Sequence, residues 1–135
     1  MLGCGRSLIG RRPRAGVWEL THHPASAGAA RRITRDTLGA WDIDEGTTDQ
    51  ALLVVSELVT NAVRHAHPPI ALHLNRPTSG DALHIEVDDG GAATRHGAWT
   101  TDCAPDEHGH AIIARLATAH GCRTGNHGTT YWADL

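Results

Sequence analysis

Residues 51–66, ALLVVSELVTNAVRHA, constrain this chain more than any other stretch. Ala51, Val54, Val55, Leu58, Val59, Ala62, Val63 and Ala66 recur at three- and four-residue steps, the spacing of a helix with one apolar face. Pro68-Pro69 forbids its continuation. Such a helix must be buried on one side, yet it also carries Glu57, Asn61 and His65 at i, i+4 and i+8. Each step of four advances only about 40°, so the three side chains line one narrow stripe. Leu58, Ala62 and Val55 lie beside or behind it, which turns the stripe toward a cleft. A carboxylate and an amide one turn apart suit a hydrated magnesium ion, which takes one or two protein oxygens and keeps its waters for phosphates. The ordinary alternative for polar residues on such a helix is a solvated face.

The flanking segments supply the layers this helix needs. Val17–Leu20 alternates as a short strand, and residues 24–38 place Ala27, Ala30, Ile33, Thr34, Thr37 and Leu38 at helical spacing, with Ser26 as a candidate cap. Thr47 or Thr48 is the expected cap of the second helix. Residues 70–74 and 83–87 alternate on either side of "RPTSGD" and predict an antiparallel hairpin. Residues 89–109 lack either periodicity and read as a lid-like loop. Residues 111–119 are again helical, with Gly121 as their stop, and two short strands at 122–124 and 129–133 flank the turn "GNHG". Strand, helix, helix, strand, strand, lid, helix, strand, strand predicts an α+β fold, a two-layer sandwich with helices on one face of a mixed, mostly antiparallel sheet.

At 135 residues one domain is expected, with residues 1–15 as a disordered leader and 16–135 as the folded unit. The formal charge of -3, with both signs interspersed, gives no footprint for nucleic acid. No apolar run approaches the roughly 20 residues of a membrane span. Cys4, Cys103 and Cys122 are odd in number and scattered, which suggests no disulfide framework and fits a reducing, cytoplasmic setting. All 12 basic residues are arginine, so a P-loop, which needs a lysine on the phosphates, is excluded.

Two further motifs bear on chemistry. Val87-Asp88-Asp89-Gly90-Gly91 ends an apolar strand in a carboxylate and two glycines, where backbone approaches a ligand closely while Asp89 accepts a hydrogen bond. In isolation an Asp-Gly at a strand end reads as a turn. Gly109 opens the third helix, and helix N-termini bind anions.

Taken in order, "SELVTNAVRHA", "VDDGG", "DEHGHAIIARLA" and "GTTYWADL" resemble the Bergerat-fold (GHKL) ATPase superfamily and, within it, the bacterial anti-sigma-factor serine/threonine kinases; the resemblance spans residues 17–135. It implies the Bergerat ATP-binding fold, ATP and Mg2+ as cofactors, and transfer of the γ-phosphoryl group to a serine or threonine of a partner. By resemblance Asn61 holds the magnesium and Glu57 orients or deprotonates the attacking hydroxyl, with His65 a phosphate-side neighbour. Asp89 accepts from the adenine amino group, Gly91 lies against the base, and Thr130 supports Asp89. The implied partners are a sigma factor and an anti-sigma-factor antagonist, with a homodimer left open.

The chain departs from the family at the end of the lid, where Gly-x-Gly-Leu is expected and Glu107-His108-Gly109-His110-Ala111 stands. One glycine is missing, and a carboxylate at Glu107 brings like charge toward a triphosphate. A second reading follows, that of a pseudokinase or weak nucleotide binder that sequesters a transcription regulator without phosphorylating it.

Overall fold

The structure, a computed structural model, describes residues 14–77, 83–91 and 107–135. Its elements follow the expected order: β1 (Arg14–Leu20), α1 (Ser26–Ala40), α2 (Glu45–His65), β2 (Ile70–Arg76), β3 (His84–Asp89), α3 (Glu107–Leu116), β4 (Ala119–Gly125) and β5 (Gly128–Asp134). β1 begins inside the stretch expected to be a leader. The five strands form one sheet in the order β1-β2-β3-β5-β4. Among the described residues every strand pairing is antiparallel, where a mixed sheet was expected.

Register divides the sheet into two faces. Ile70, Leu72 and Leu74 of β2, Ile85 and Val87 of β3 and Ala133 of β5 are buried, and their strand neighbours are not. This period-two burial is what alternating apolar and polar residues produce when one face is covered. The cover is α2, which lies over β2 and β3 between α1 and α3. Its buried residues Val54, Val55, Leu58, Val59 and Ala62 meet the strands and Ala30 and Leu38 of α1 in one core.

The helix boundaries differ from expectation for local reasons. α2 starts one turn earlier than Thr47: Asp44 is its cap and accepts from the Thr47 backbone N–H at 2.9 Å and from the Thr47 hydroxyl at 2.8 Å. Ser26 is not a cap but the first residue of α1; it is buried, and its hydroxyl donates to the Thr21 carbonyl at 2.5 Å. α3 starts at Glu107 rather than Ala111. Gly121, expected to stop that helix, lies within β4, where the Trp132 ring of β5 covers it; a Cβ there would stand 3.1 Å from the ring. Residues 92–106, most of the expected lid, lie outside the described residues. Cys122 in β4 is disulfide-bonded, which the scatter of cysteines along the sequence does not suggest.

The uncovered face of the sheet carries a polar network. The Asp88 carboxylate accepts from His73 Nε2 at 2.6 Å and from the Thr130 hydroxyl at 2.5 Å. His84 of β3 donates through Nδ1 to Asp134 and through Nε2 to Glu86 at 2.7 Å, and its ring stacks on Trp132 with centroids 5.7 Å apart. Arg123 reaches Glu86 at 3.2 Å. Ionised carboxylates only accept, so partners on both ring nitrogens favour the imidazolium form of His84. Burial by itself would disfavour that charge, but the bonds to Asp134 and Glu86 outweigh it and raise the pKa.

Candidate functional site

The site is built where the exit of α2 meets the end of β3. α2 ends at His65 because Ala66 leaves helical geometry ahead of the Pro68-Pro69 pair. Two backbone bonds then tie its exit to the turn after β3: the His67 N–H donates to the Gly91 carbonyl at 2.8 Å, and the Gly90 N–H donates to the His67 carbonyl at 2.7 Å. The approach is close enough that a Cβ on Gly90 would stand 2.2 Å from the Pro68 carbonyl oxygen.

Asp89 occupies the last inward position of β3, following Ile85 and Val87, and is only 6 % exposed. Its Oδ1 accepts from the Gly91 N–H at 2.8 Å, and Gly91 then takes a positive φ that a glycine adopts without strain. Burial pushes the carboxyl pKa up, the N–H groups of Gly91 and Thr129 pull it back in part, and the neighbouring Asp88 charge adds to the rise. A carboxylate so placed is a strong acceptor at the rim of an apolar layer, suited to one donor group of a flat ligand.

The residue beside Asp89 is Thr129 and not Thr130. Thr129 pairs with Asp89 across β3 and β5 and is 7 % exposed. Thr130, expected to support Asp89, points to the other face and its hydroxyl donates to Asp88. Strand alternation is the reason: adjacent residues in β5 serve opposite faces, and only the register decides which threonine faces inward.

Glu57 and Asn61 are half-buried on α2, turned away from the row formed by Leu58, Ala62 and Val55; His65, the last residue of the helix, is exposed. Glu57 and Asn61 offer one carboxylate and one amide oxygen, the hard donors a magnesium ion accepts in small number, so the residues fit such an ion. Among the described residues no group of three or more His, Cys, Asp and Glu is gathered that could hold a metal unaided. Gly109 lies in the first turn of α3, which packs against α2. The fold thus brings Asp89, Gly91 and Thr129 together and ties them to the exit of the helix bearing Glu57 and Asn61.

A two-layer sandwich with a buried carboxylate ending a central strand and an amide–carboxylate stripe on the covering helix defines a class of nucleotide-binding domains. The family model for the histidine kinase-like ATPase domain matches residues 20–134, and the chain belongs to that family. A solved structure containing the RsbU and RsbW domains of Rv1364c from Mycobacterium tuberculosis superposes with a TM-score of 0.70 at 20 % identity, over 90 % of this chain and 32 % of that one. The chain therefore spans about a third of that longer solved chain, and the likeness establishes the shared fold. No curated protein sequence matches it. No described helix is long and apolar enough to cross a membrane.

Proposed function

We propose that this protein is a magnesium-ATP-dependent serine/threonine kinase of the anti-sigma-factor type, acting in the cytoplasm on an anti-sigma-factor antagonist and binding a sigma factor. The observation that carries the nucleotide part is the buried Asp89 carboxylate, held by Gly91 and backed by Thr129 at the end of β3. In this reading Asp89 accepts from the adenine amino group, and Gly91 lets the base lie against backbone. Asn61 holds the magnesium, which neutralises phosphate charge when bound. Glu57 orients the attacking hydroxyl of the partner and takes its proton as the γ-phosphoryl group is transferred. His65, exposed at the helix end, and Gly109, in the first turn of α3, lie on the phosphate side. The RsbW domain named in the similar structure supports the regulatory assignment, and the cytoplasmic setting rests on that function alone.

The missing glycine around Glu107 favours the second reading, a module that grips a regulator with little or no phosphate transfer. Titration calorimetry with magnesium-ATP, followed by phosphate transfer to a purified antagonist, separates the two. A kinase binds ATP and loses at least about a hundredfold of its transfer rate on Glu57→Ala while keeping its grip on the partner. Asn61→Ala removes the magnesium dependence of nucleotide binding. A folded protein that binds no ATP and still holds its partner is the sequestering module.

A further inference from the structure

The exit of α2 is held from a third side. His22, in the turn between β1 and α1, places Nε2 at 2.8 Å from the Ala66 carbonyl oxygen. That oxygen belongs to the residue that closes α2, where the last carbonyls have no partner within the helix. A carbonyl only accepts, so Nε2 carries the proton and His22 is the donor in either of its charge states.

The turn that presents His22 is itself braced. The His23 N–H donates to the Thr21 carbonyl at 2.9 Å, the Ala25 N–H to His23 Nδ1 at 2.9 Å, and the Ser26 hydroxyl to the Thr21 carbonyl at 2.5 Å. The buried Ser26, misread in sequence as a cap, is thus an anchor of this turn. From His22 a continuous chain of contacts leads inward. Ala66 precedes His67, the N–H and carbonyl of His67 hold Gly91 and Gly90, and the Gly91 N–H holds Asp89 Oδ1.

We propose that His22 is a positioning residue for nucleobase recognition: by fixing the Ala66 carbonyl it sets the exit of α2, and through His67 it sets the Asp89–Gly91 turn that selects adenine. The proposal rests on the nucleotide reading above and assigns the selectivity of that site to a side chain from a different element. It treats His22 as remote from the ligand, so its removal loosens the adenine acceptor without touching the magnesium side.

The test compares wild type, His22→Ala and His22→Gln, whose amide N–H can replace the imidazole donor. Affinities for magnesium-ATP and magnesium-ITP are measured, the latter carrying a carbonyl where adenine has its amino group. His22→Ala is expected to weaken ATP binding about five- to tenfold, the scale of one hydrogen bond, and ITP binding by less than about twofold; His22→Gln is expected to restore the ATP preference. Equal losses for both nucleotides, no loss at all, or a Gln variant that behaves like Ala overturns the proposal. Amide exchange in nucleotide-free protein gives an independent reading: His67 and Gly90 exchange faster in His22→Ala than in wild type and His22→Gln, and unchanged rates refute the positioning role. Wild-type protein that binds neither nucleotide overturns the kinase reading, while the exchange rates still decide whether His22 holds the turn.

Discussion

Thr129 and Thr130 differ by one position and by the whole thickness of the sheet. The segment Gly128-Thr129-Thr130-Tyr131 reads as a strand from composition alone, but nothing in it says which threonine turns inward. That information lies in the pairing of Thr129 with Asp89. The two residues therefore make a clean comparison. Thr129→Val removes a hydroxyl next to the buried carboxylate and is expected to weaken ATP binding about tenfold, whereas Thr130→Val removes a donor to Asp88 on the opposite face and is expected to leave affinity within about twofold. Calorimetry on the two variants checks this, and the reverse ranking would restore Thr130 to the site. Glu57, Asn61 and Asp89 were legible because each is a polar residue set in an otherwise apolar period. His22 was not, because its meaning depends on a carbonyl 44 residues away.

At the level of elements, β3 and β5 are clamped by His84, which bridges Glu86 within its own strand and Asp134 on the next. The raised His84 pKa makes the clamp pH-dependent. Its contribution is fully present below the unfolded histidine pKa near 6.5 and is lost as pH rises through the higher folded value. Glu86 acts in the other direction. Burial alone would raise its pKa, but bonds from His84 and Arg123 lower it, so its contribution is lost only as pH falls through that depressed value. Thermal melting across pH is expected to show wild type losing stability relative to His84→Gln between slightly acidic and slightly alkaline pH; parallel curves would mean that folding leaves the His84 pKa where it lies in the unfolded chain. Among the helices, the body of α2 was readable from its apolar repeat, while its start was not. Asp44 lies in "DIDEGTTD", where several residues can cap, and the choice is made by the chain turning after α1 at Asp42, which has φ 59°. Periodicity locates the middle of a helix well, and its ends are settled by contacts that periodicity does not encode.

The whole molecule is a helical layer on an antiparallel sheet, and the two layers are joined by backbone at one end. There the Asp89–Gly91 turn sits between the exit of α2 on one side and Gly128 on the other. Gly128 has φ 144°, and a Cβ on it would stand 1.9 Å from the Asp89 carbonyl oxygen. Backbone cannot yield to that overlap as a flexible side chain would, so Gly128→Ala is expected to cost about 2 kcal/mol or more in urea unfolding and to weaken ATP binding as well. Stability within about 0.5 kcal/mol of wild type, the range of neutral surface changes, would show that the two backbones are not locked together there. The layer architecture was legible because alternating strands and three-to-four-residue repeats are local signals. The strand order was not, since β5 and not β4 pairs with β3, a contact between segments remote in sequence, while β4 joins β5 only through a local hairpin.

That strand order has a kinetic consequence. The wall of the site opposite Asp89 comes from β5, about 40 residues further along the chain, so closing it requires a long loop to find its register. The β2–β3 hairpin and its covering helices can assemble first, as local contacts do. During synthesis the emerging chain will hold a nearly complete core and the Glu57–Asn61 stripe before Thr129 leaves the ribosome. On the nucleotide reading proposed above, binding would be among the last properties the growing chain acquires, and a bound nucleotide would report that β5 has docked.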